Sequence, residues 1–224
     1  MKVFEPIEIR GMKLKNRIGL APLLNMPRAA DWGVSDQTIK WFEARARGGT
    51  GFLMTGAIVP AVLAPPDAVE RFAKLAAAVH AHGAKLGVQI TGMGGAFMGL
   101  GPSASPFPDD RHPKQTVFEI EEMQLPPIQA MTVEQIQEQI EQISSAAAAL
   151  KAAGVDCVEL HCAHGGATLQ CSFISPFYNR REDDYGGSWE NRLRYPTETI
   201  KKMREQVGDD YPIFVRIIAD ELLG

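Results

Sequence analysis

Cysteine is scarce in this chain of 224 residues, and its pattern argues against a disulfide-stabilised protein. The three cysteines, Cys157, Cys162 and Cys171, are odd in number and form no CxxC pair. This favours reduced thiols in a cytoplasm over a disulfide framework. No long run of Lys or Arg occurs and the net charge is −4, so neither nucleic acid nor a membrane surface is an expected partner.

Long apolar runs are missing as well. No stretch is long enough to span a bilayer, and the first eleven residues lack the apolar core of a signal peptide. Hydrophobic residues still make up 45% of the chain, enough for one sizeable core, which argues against disorder. We therefore expect a globular cytoplasmic protein, and a homo-oligomer stays open.

Strand-like and helix-like segments alternate along the chain. Apolar runs predict strands at 17–22, 51–59, 85–91, 155–161 and 213–218, and amphipathic spacing predicts helices at 35–47, 67–82, 132–153 and 189–207. Repeated strand-then-helix units imply a parallel sheet. An irregular connection from about Gly92 to Met131 interrupts the alternation, and a connection of this length is often functional.

Five strands fit two architectures, an open doubly wound sheet or the first part of an eight-stranded barrel. The glycine-rich phosphate fingerprint is missing after the first strand, where APLLNMPR stands, and this favours the barrel. A complete barrel takes about 250 residues and eight strands. We predict an α/β fold, a TIM (β/α)8 barrel of which this chain supplies about the first five βα units, as the N-terminal portion (residues 1–224) of a single domain.

Two histidines, His161 and His164, stand three residues apart at the end of the fourth predicted strand, in ELHCAHGG. Strand ends are where parallel α/β enzymes place their chemistry, and two imidazoles there can jointly grip an oxygen atom. The alternatives are strand-end histidines satisfied by backbone, or a zinc site with Cys162 and Cys171, whose spacing fits no standard zinc pattern.

Two polar side chains interrupt predicted apolar strands. Arg216 in IFVRII needs an anionic partner, since burying a cation alone is costly; that partner is either a ligand or a carboxylate such as Glu159. Gln89 in GVQI offers both a donor and an acceptor, which suits a ligand edge or a buried structural amide.

The motifs KNRIGLAPL, GGTGFLMTG, KLGVQIT, GVDCVELHCAHGG, SPFYNRREDDYGGSWENR and PIFVRI occur in this order. Together they resemble the old yellow enzyme family of FMN-dependent NAD(P)H:flavin oxidoreductases, from about Phe4 to the last residue. The pattern SPxxNxRxDxYGGSxENR is highly specific to that family. The region around KLGVQITGMGG is more similar to the long anaerobic branch, which includes 2-enoate and 2,4-dienoyl-CoA reductases. A 4Fe-4S cluster and FAD would belong only to a longer parent protein.

The resemblance implies an FMN-binding barrel that passes hydride from NADH or NADPH through FMN to the β-carbon of an activated alkene, such as an enoate, enone or enoyl-CoA. His161 and His164 match the pair that binds the substrate oxygen. Arg216 would face the N1–O2 edge of FMN, and Gln89 its pyrimidine edge. The other positions matching cofactor contacts are Pro22, Leu23, Leu24, Gly56 and Ala57.

The polar loop signature is expected to act as scaffold through charge-assisted hydrogen bonds. Its members are Asn179, Arg181, Asp183, Tyr185, Glu190, Asn191 and Arg192. Two positions depart from the family pattern. Gly166 stands where many relatives carry a proton-donating tyrosine, and Leu24 stands where many carry Thr or Cys, so we predict an altered flavin potential.

Those departures leave a second hypothesis open, a truncated, non-catalytic half-barrel that acts as a binding or assembly protein. The phosphate of a flavin barrel is held after strands seven and eight, which lie beyond these five units. We therefore expect the chain alone to bind FMN weakly or not at all, and to expose apolar strand edges. No metal ligand is assigned.

Overall fold

The computed structural model describes residues 1–92, 94, 99–103, 128–164 and 168–221. The chain divides into two compact units. The first unit comprises Met1–Thr91, Glu141–Leu160 and Ile200–Val215, and the second comprises Gly92–Ile140, His161–Thr199 and Arg216–Gly224.

The strands are short, and five of them form one sheet. They are β1 (Ile7–Ile9), β2 (Met12–Leu14), β3 (Gly19–Leu20), β4 (Phe52–Met54), β5 (Lys85–Ile90), β6 (Leu100–Gly101), β7 (Gln129–Ala130), β8 (Cys157–Cys162) and β9 (Ile213–Ile217). The sheet has the order β3-β4-β5-β8-β9. Its pairs from β3 to β8 are parallel, with Leu53 opposite Leu86 and Gln89 opposite Glu159.

Helices connect these strands, as parallel pairing requires. They are α1 (Asp36–Arg47), α2 (Ala68–His80), α3 (Val133–Ala152), α4 (Leu169–Ile174), α5 (Trp189–Arg192) and α6 (Arg194–Val207), with 3-10 turns at Lys2–Phe4 and Pro60–Leu63. The predicted alternation of five sheet strands with helices is confirmed. Of the helices that the structure describes, none combines the length and the apolar character that crossing a membrane demands.

Local capping explains why two helices begin where the sequence predicts. Ser35 Oγ accepts from the Thr38 amide at 3.1 Å, and Thr38 Oγ1 accepts from the Ser35 amide at 3.0 Å. Before α3, the Thr132 amide donates to Gln135 at 2.9 Å and the Gln135 amide donates back to the Thr132 hydroxyl at 3.2 Å. Each exchange satisfies two amides that the first helical turn leaves unpaired.

Several predicted bounds were wrong. The second strand ends at Met54, because Thr55 and the residues after it leave the regular ladder and touch β5 again only through a bridge from Ile58 to Ile90. The last predicted helix divides at Leu193 into α5 and α6, and Pro196, which has no amide hydrogen, lies in the first turn of α6. The β1–β2 hairpin and α4 were not predicted.

Each unit has its own apolar cluster. In the first, Met12 and Leu14 of the hairpin pack with Met54 and Cys157, and Phe52 and Phe214 flank them. In the second, the largest cluster residues are Leu169, Phe173, Tyr185 and Tyr195, joined by Met131, Ile136 and Ile140. The second cluster supports the segment that contains the polar loop signature.

Candidate functional site

The two histidines singled out by the sequence contact each other directly in the second unit. His161 is 4% exposed at the end of β8, and His164 is exposed two residues beyond the strand. Their rings meet edge to face, with His164 Nδ1 2.8 Å from His161 Nε2. His164 adopts a left-handed backbone conformation, with a φ of 74°, which costs about 1–2 kcal/mol for a residue with a side chain. The left-handed backbone of His164 is thus an unfavourable conformation that places the His164 ring against His161.

Burial is the main reason that His161 is neutral. Burial, followed by the charges of His164 and Arg216, lowers the pKa of His161 to about 4. Its Nδ1 atom is buried and has no hydrogen-bond partner among the described residues. When both rings are neutral, their mutual bond leaves one outward-facing N–H on the pair, carried by either His161 Nδ1 or His164 Nε2.

Arg216, the third predicted residue in the second unit, lies on β9. Its side chain is half-buried, between Val215 and Ile217, whose side chains are 44% and 55% exposed. Its positive charge acts on His161, since it contributes to the lowered pKa of that imidazole. The structure therefore brings His161, His164 and Arg216 into one electrostatic environment.

A close backbone approach defines the candidate site in the first unit. Gly56 is buried just after β4, and a Cβ atom placed on it would lie 2.1 Å from the carbonyl oxygen of Leu23. Such a separation is far inside van der Waals contact, so only glycine fits here. We call the backbone of residues 22–28 and 55–57 the cradle.

The exposed part of the cradle comes from the predicted cofactor positions. Leu23 and Leu24 are 41% and 51% exposed, while Pro22 and Ala57 are half-buried. Large exposed leucines beside a buried glycine leave an accessible apolar surface on a fixed backbone. That surface suits a flat ligand.

Arg28 supports the cradle from beneath, and the sequence reasoning missed it. Its Nη1 donates to the Trp32 carbonyl at 3.0 Å, and its Nη2 donates to the Ala57 carbonyl at 3.2 Å. Its Nε is buried and has no partner among the described residues, and burial lowers the pKa of the guanidinium. The one signal was a charged residue in the irregular APLLNMPR segment.

Two further polar residues belong to this part of the first unit, one within the cradle and one on β5. Thr55 is 1% exposed and its hydroxyl has no partner among the described residues, another feature that the sequence reasoning missed. Gln89, 3% exposed on β5, donates through Nε2 to Glu159 Oε1 at 2.6 Å. The Gln89 amide is therefore fixed by a carboxylate.

The polar loop signature forms a dense hydrogen-bonded scaffold in the second unit. Asn179 Nδ2 donates to the carbonyls of Phe173 and Tyr185, each at 2.7 Å. Arg181 donates to the carbonyls of Pro102 and Met131 at 2.9 and 2.6 Å. These bonds hold backbone segments that are far apart in sequence.

The metal alternative has no geometric support in the part of the chain that the structure describes. There, no three His, Cys, Asp or Glu side chains converge on a point. All three cysteines are buried, and none of them forms a disulfide. Gly166, one of the two departures from the family pattern, lies outside the described residues.

Comparison with known proteins identifies the family. A profile of the NADH:flavin oxidoreductase / NADH oxidase family matches residues 2–224. The chain is 36% identical to an NADH oxidase of Thermoanaerobacter brockii over 99% of its own length and 34% of the relative. It is 36% identical to an NADPH dehydrogenase of Bacillus velezensis (98% and 64%), and 30% identical to a cinnamate reductase of Clostridium sporogenes (96% and 34%).

A solved structure supports the fold assignment. The old yellow enzyme from Pichia sp. AKU4542 superposes with a TM-score of 0.81 at 30% identity, covering 96% of this chain and 59% of that one. The predicted family resemblance and the barrel fold class are thereby confirmed. The chain spans from about a third to just under two thirds of the length of these relatives.

Proposed function

We propose that this chain, which belongs to the NADH:flavin oxidoreductase / NADH oxidase family, forms part of an FMN-dependent oxidoreductase that reduces activated alkenes with NADH or NADPH. The observation that carries the proposal is the pair of contacting imidazoles at the end of β8. The likeness to a protein named cinnamate reductase, after an unsaturated acid, supports the same substrate class.

The cradle fits FMN in the first unit. Because Gly56 has no side chain, the Leu23 and Gly56 backbones lie in close contact and form a fixed surface. The flavin ring is proposed to rest on the accessible side of this surface, where Leu23 and Leu24 are exposed. The residues proposed to hold FMN are Pro22, Leu23, Leu24, Gly56, Ala57, Gln89 and Arg216. When bound, FMN would supply the hydride transfer.

The histidine pair is proposed to bind the oxygen of the activating carbonyl. As hydride reaches the β-carbon, negative charge grows on that oxygen, and an N–H donor fixed in a water-poor site stabilises it. His161 Nδ1 is buried without a partner among the described residues, so a ligand oxygen can take it without displacing another acceptor. Loss of one such donor typically costs about 3 kcal/mol of transition-state stabilisation.

Arg216 is proposed to favour negative charge on the bound ring. A guanidinium does not lose its proton at physiological pH, so its charge is available throughout the reaction. The same charge contributes, after burial and His164, to the lowered pKa of His161. A cationic amine is a poor match to this environment, since it brings no acceptor for the N–H and meets a like charge.

The test is anaerobic turnover of the purified protein with FMN, a deuterated nicotinamide donor and either cinnamate or 2-cyclohexenone. A separate assay omits the donor and offers dimethylglycine together with a dye as electron acceptor. We expect reduction of one or both alkenes, with deuterium on the β-carbon of the product, and no reaction of the amine. Amine oxidation would contradict the assignment. FMN binding without turnover of any alkene would favour the non-catalytic binding protein.

A further inference from the structure

Arg28 is a half-buried cation whose Nε is fully buried, and the proposed reaction gives it no role. Its guanidinium donates to two neutral carbonyls, those of Trp32 and Ala57. No carboxylate among the described residues forms an ion pair with it, and its Nε has no partner there. Burying a charge without a counter-ion is costly, so a residue kept in this state calls for a physical reason.

Arg71, on α2, shows how an ordinary structural arginine holds the same loop. Its guanidinium lies 2.6 Å from Asp31 and 3.3 Å from Asp67, and donates to the Val34 carbonyl at 3.1 Å. These bonds fix the loop before α1 with charge compensation on both sides. The loop therefore has an anchor already, and stability alone does not explain a second, uncompensated one.

The position of Arg28 supplies the reason. Its Nη2 lies 2.8 Å from the place that a Cβ of Gly56 would occupy, where the Leu23 carbonyl also converges. Through Nη2 it holds the Ala57 carbonyl, and through Nη1 it holds the carbonyl of Trp32, whose φ of 64° is left-handed. The guanidinium thus ties the first segment of the cradle to the second across 29 residues of chain.

We propose that Arg28 is a positioning residue for FMN, which sets the spacing between the Leu23 backbone and the Gly56–Ala57 backbone. This inference rests on the proposed function. Arg28 is well suited to it because a planar guanidinium reaches two carbonyls in fixed directions, whereas a lysine ammonium is a point charge on a flexible stem. The positive charge is retained in this half-buried place because it strengthens each hydrogen bond to a carbonyl.

Three variants separate positioning from general stability. Arg28→Met removes both bonds with a side chain of similar length. Arg28→Lys keeps the charge and one bond. Arg71→Met is the matched control, since it loosens the same loop at Asp31 and Val34 and leaves the cradle contacts intact. Each is compared with the wild type by amide hydrogen exchange without flavin, and by FMN fluorescence quenching and visible circular dichroism.

Without flavin, Arg28→Met should speed exchange in peptides 22–34 and 54–58 and leave the α2 peptides unchanged. Its FMN dissociation constant should rise roughly tenfold or more, as expected for lost hydrogen bonds to a charged donor, with an altered flavin dichroism. The FMN dissociation constant of Arg28→Lys should lie between those of the wild type and Arg28→Met. Arg71→Met should bind FMN like the wild type.

Equal FMN affinity in wild type and Arg28→Met, or an equal loss in Arg71→Met, overturns the inference. If Arg28→Met does not fold, wild-type affinity and dichroism in Arg28→Lys overturn it instead. If the wild type binds FMN too weakly to titrate, as expected of this chain alone, the flavin-free exchange comparison tests the inference by itself. Unchanged exchange of peptides 54–58 in Arg28→Met then overturns it, whereas the proposed function is tested separately by alkene turnover.

Discussion

The polar loop signature differs from both the cradle and the histidine pair in one respect. All three are rich in polar side chains, but the buried polar atoms of the signature have hydrogen-bond partners. In the signature, no described residue leaves a buried side-chain nitrogen or oxygen without a hydrogen bond. In the cradle, Arg28 Nε and Thr55 Oγ1 are buried and have no hydrogen-bond partner among the described residues. The same is true of His161 Nδ1 in the second unit. A fourth such atom, Arg71 Nε, still lies 3.3 Å from a carboxylate of Asp67.

We interpret the hydrogen-bonded signature as structural and the unpartnered atoms as candidates for ligand binding. An unpaired buried polar atom costs about 1–3 kcal/mol, so most native structures eliminate it. Proteins depart from local consistency mainly at functional sites. The most specific sequence motif of this chain is therefore its scaffold, and the atoms available to ligands lie in less distinctive segments.

The largest expected effect is on the histidine side of the comparison. His161→Ala should lower kcat/KM for alkene reduction roughly 100-fold or more, because the site loses one hydrogen-bond donor to the developing oxyanion. FMN affinity should stay unchanged. Steady-state kinetics measures this, with His80→Ala as control, since His80 pairs with Asp156 away from the site. Equal losses in both variants would contradict a specific role.

The same imidazole should make stability depend on pH. The pKa of His161 is lowered from 6.5 to about 4, so the unfolded state binds more protons between these values. The stabilisation is complete above about pH 6.5 and is lost as pH falls through about 4, by up to ~3 kcal/mol. Urea unfolding of wild type and His161→Asn across this window measures it. If the free energy of unfolding varied with pH in the same way in both proteins, His161 would not be the source of the pH dependence.

Gly56→Ala should break the cradle itself. A Cβ 2.1 Å from the Leu23 carbonyl forces the two backbone segments apart, at a cost of about 1–3 kcal/mol, and FMN affinity should fall with it. Gly48→Ala is the control, because a Cβ there would meet its nearest atoms at 3.4 Å, in a helical backbone conformation. Chemical denaturation and FMN titration report both effects. Unchanged FMN affinity in a destabilised Gly56→Ala variant would show that the cradle does not contribute to FMN binding.

Tyr185→Phe tests the scaffold side. The Tyr185 hydroxyl donates to Glu198 at 2.8 Å and accepts from Gln137 at 2.5 Å. Its loss should destabilise the fold by about 1 kcal/mol and leave kcat/KM per folded molecule unchanged. A double-mutant cycle with Glu198→Ala, which removes the acceptor, isolates the coupling between the two side chains. A large loss of kcat/KM with little loss of stability would show that the signature takes part in function and is not only structural.

Leu24→Thr should have the smallest effect on stability, within about 0.5 kcal/mol, because the side chain is 51% exposed. The hydroxyl restores a donor that many relatives carry, so the midpoint potential of bound FMN should shift. Leu23→Thr, at the neighbouring exposed leucine, is the control and should leave the potential in place. A spectroelectrochemical titration that finds no shift in Leu24→Thr would refute the role assigned to this position.

The sequence predicted what local chemistry determines. The Thr132–Gln135 capping exchange and the buried strand before His161 were readable, because each depends on neighbours within a few residues. Arg28 was not readable, since its role comes from a carbonyl 29 residues away. The bond between His161 and His164 was also missed, because it depends on a left-handed backbone at His164 that no local preference favours.

The cofactor residues stay predictions, because their roles depend on a bound ring. The strand ends at Met54 and Leu20 illustrate the same limit of local reasoning. Apolar composition predicted longer strands there, but tertiary contacts of the cradle take the backbone out of the ladder.

The most direct test of the central claim is hydrogen exchange of the wild-type protein with and without saturating FMN. The account predicts slower exchange in peptides that cover residues 22–28, 54–58 and 85–90, with peptides of the polar loop signature unchanged. Protection confined to the signature, or none in the cradle at concentrations where FMN fluorescence is quenched, would contradict it.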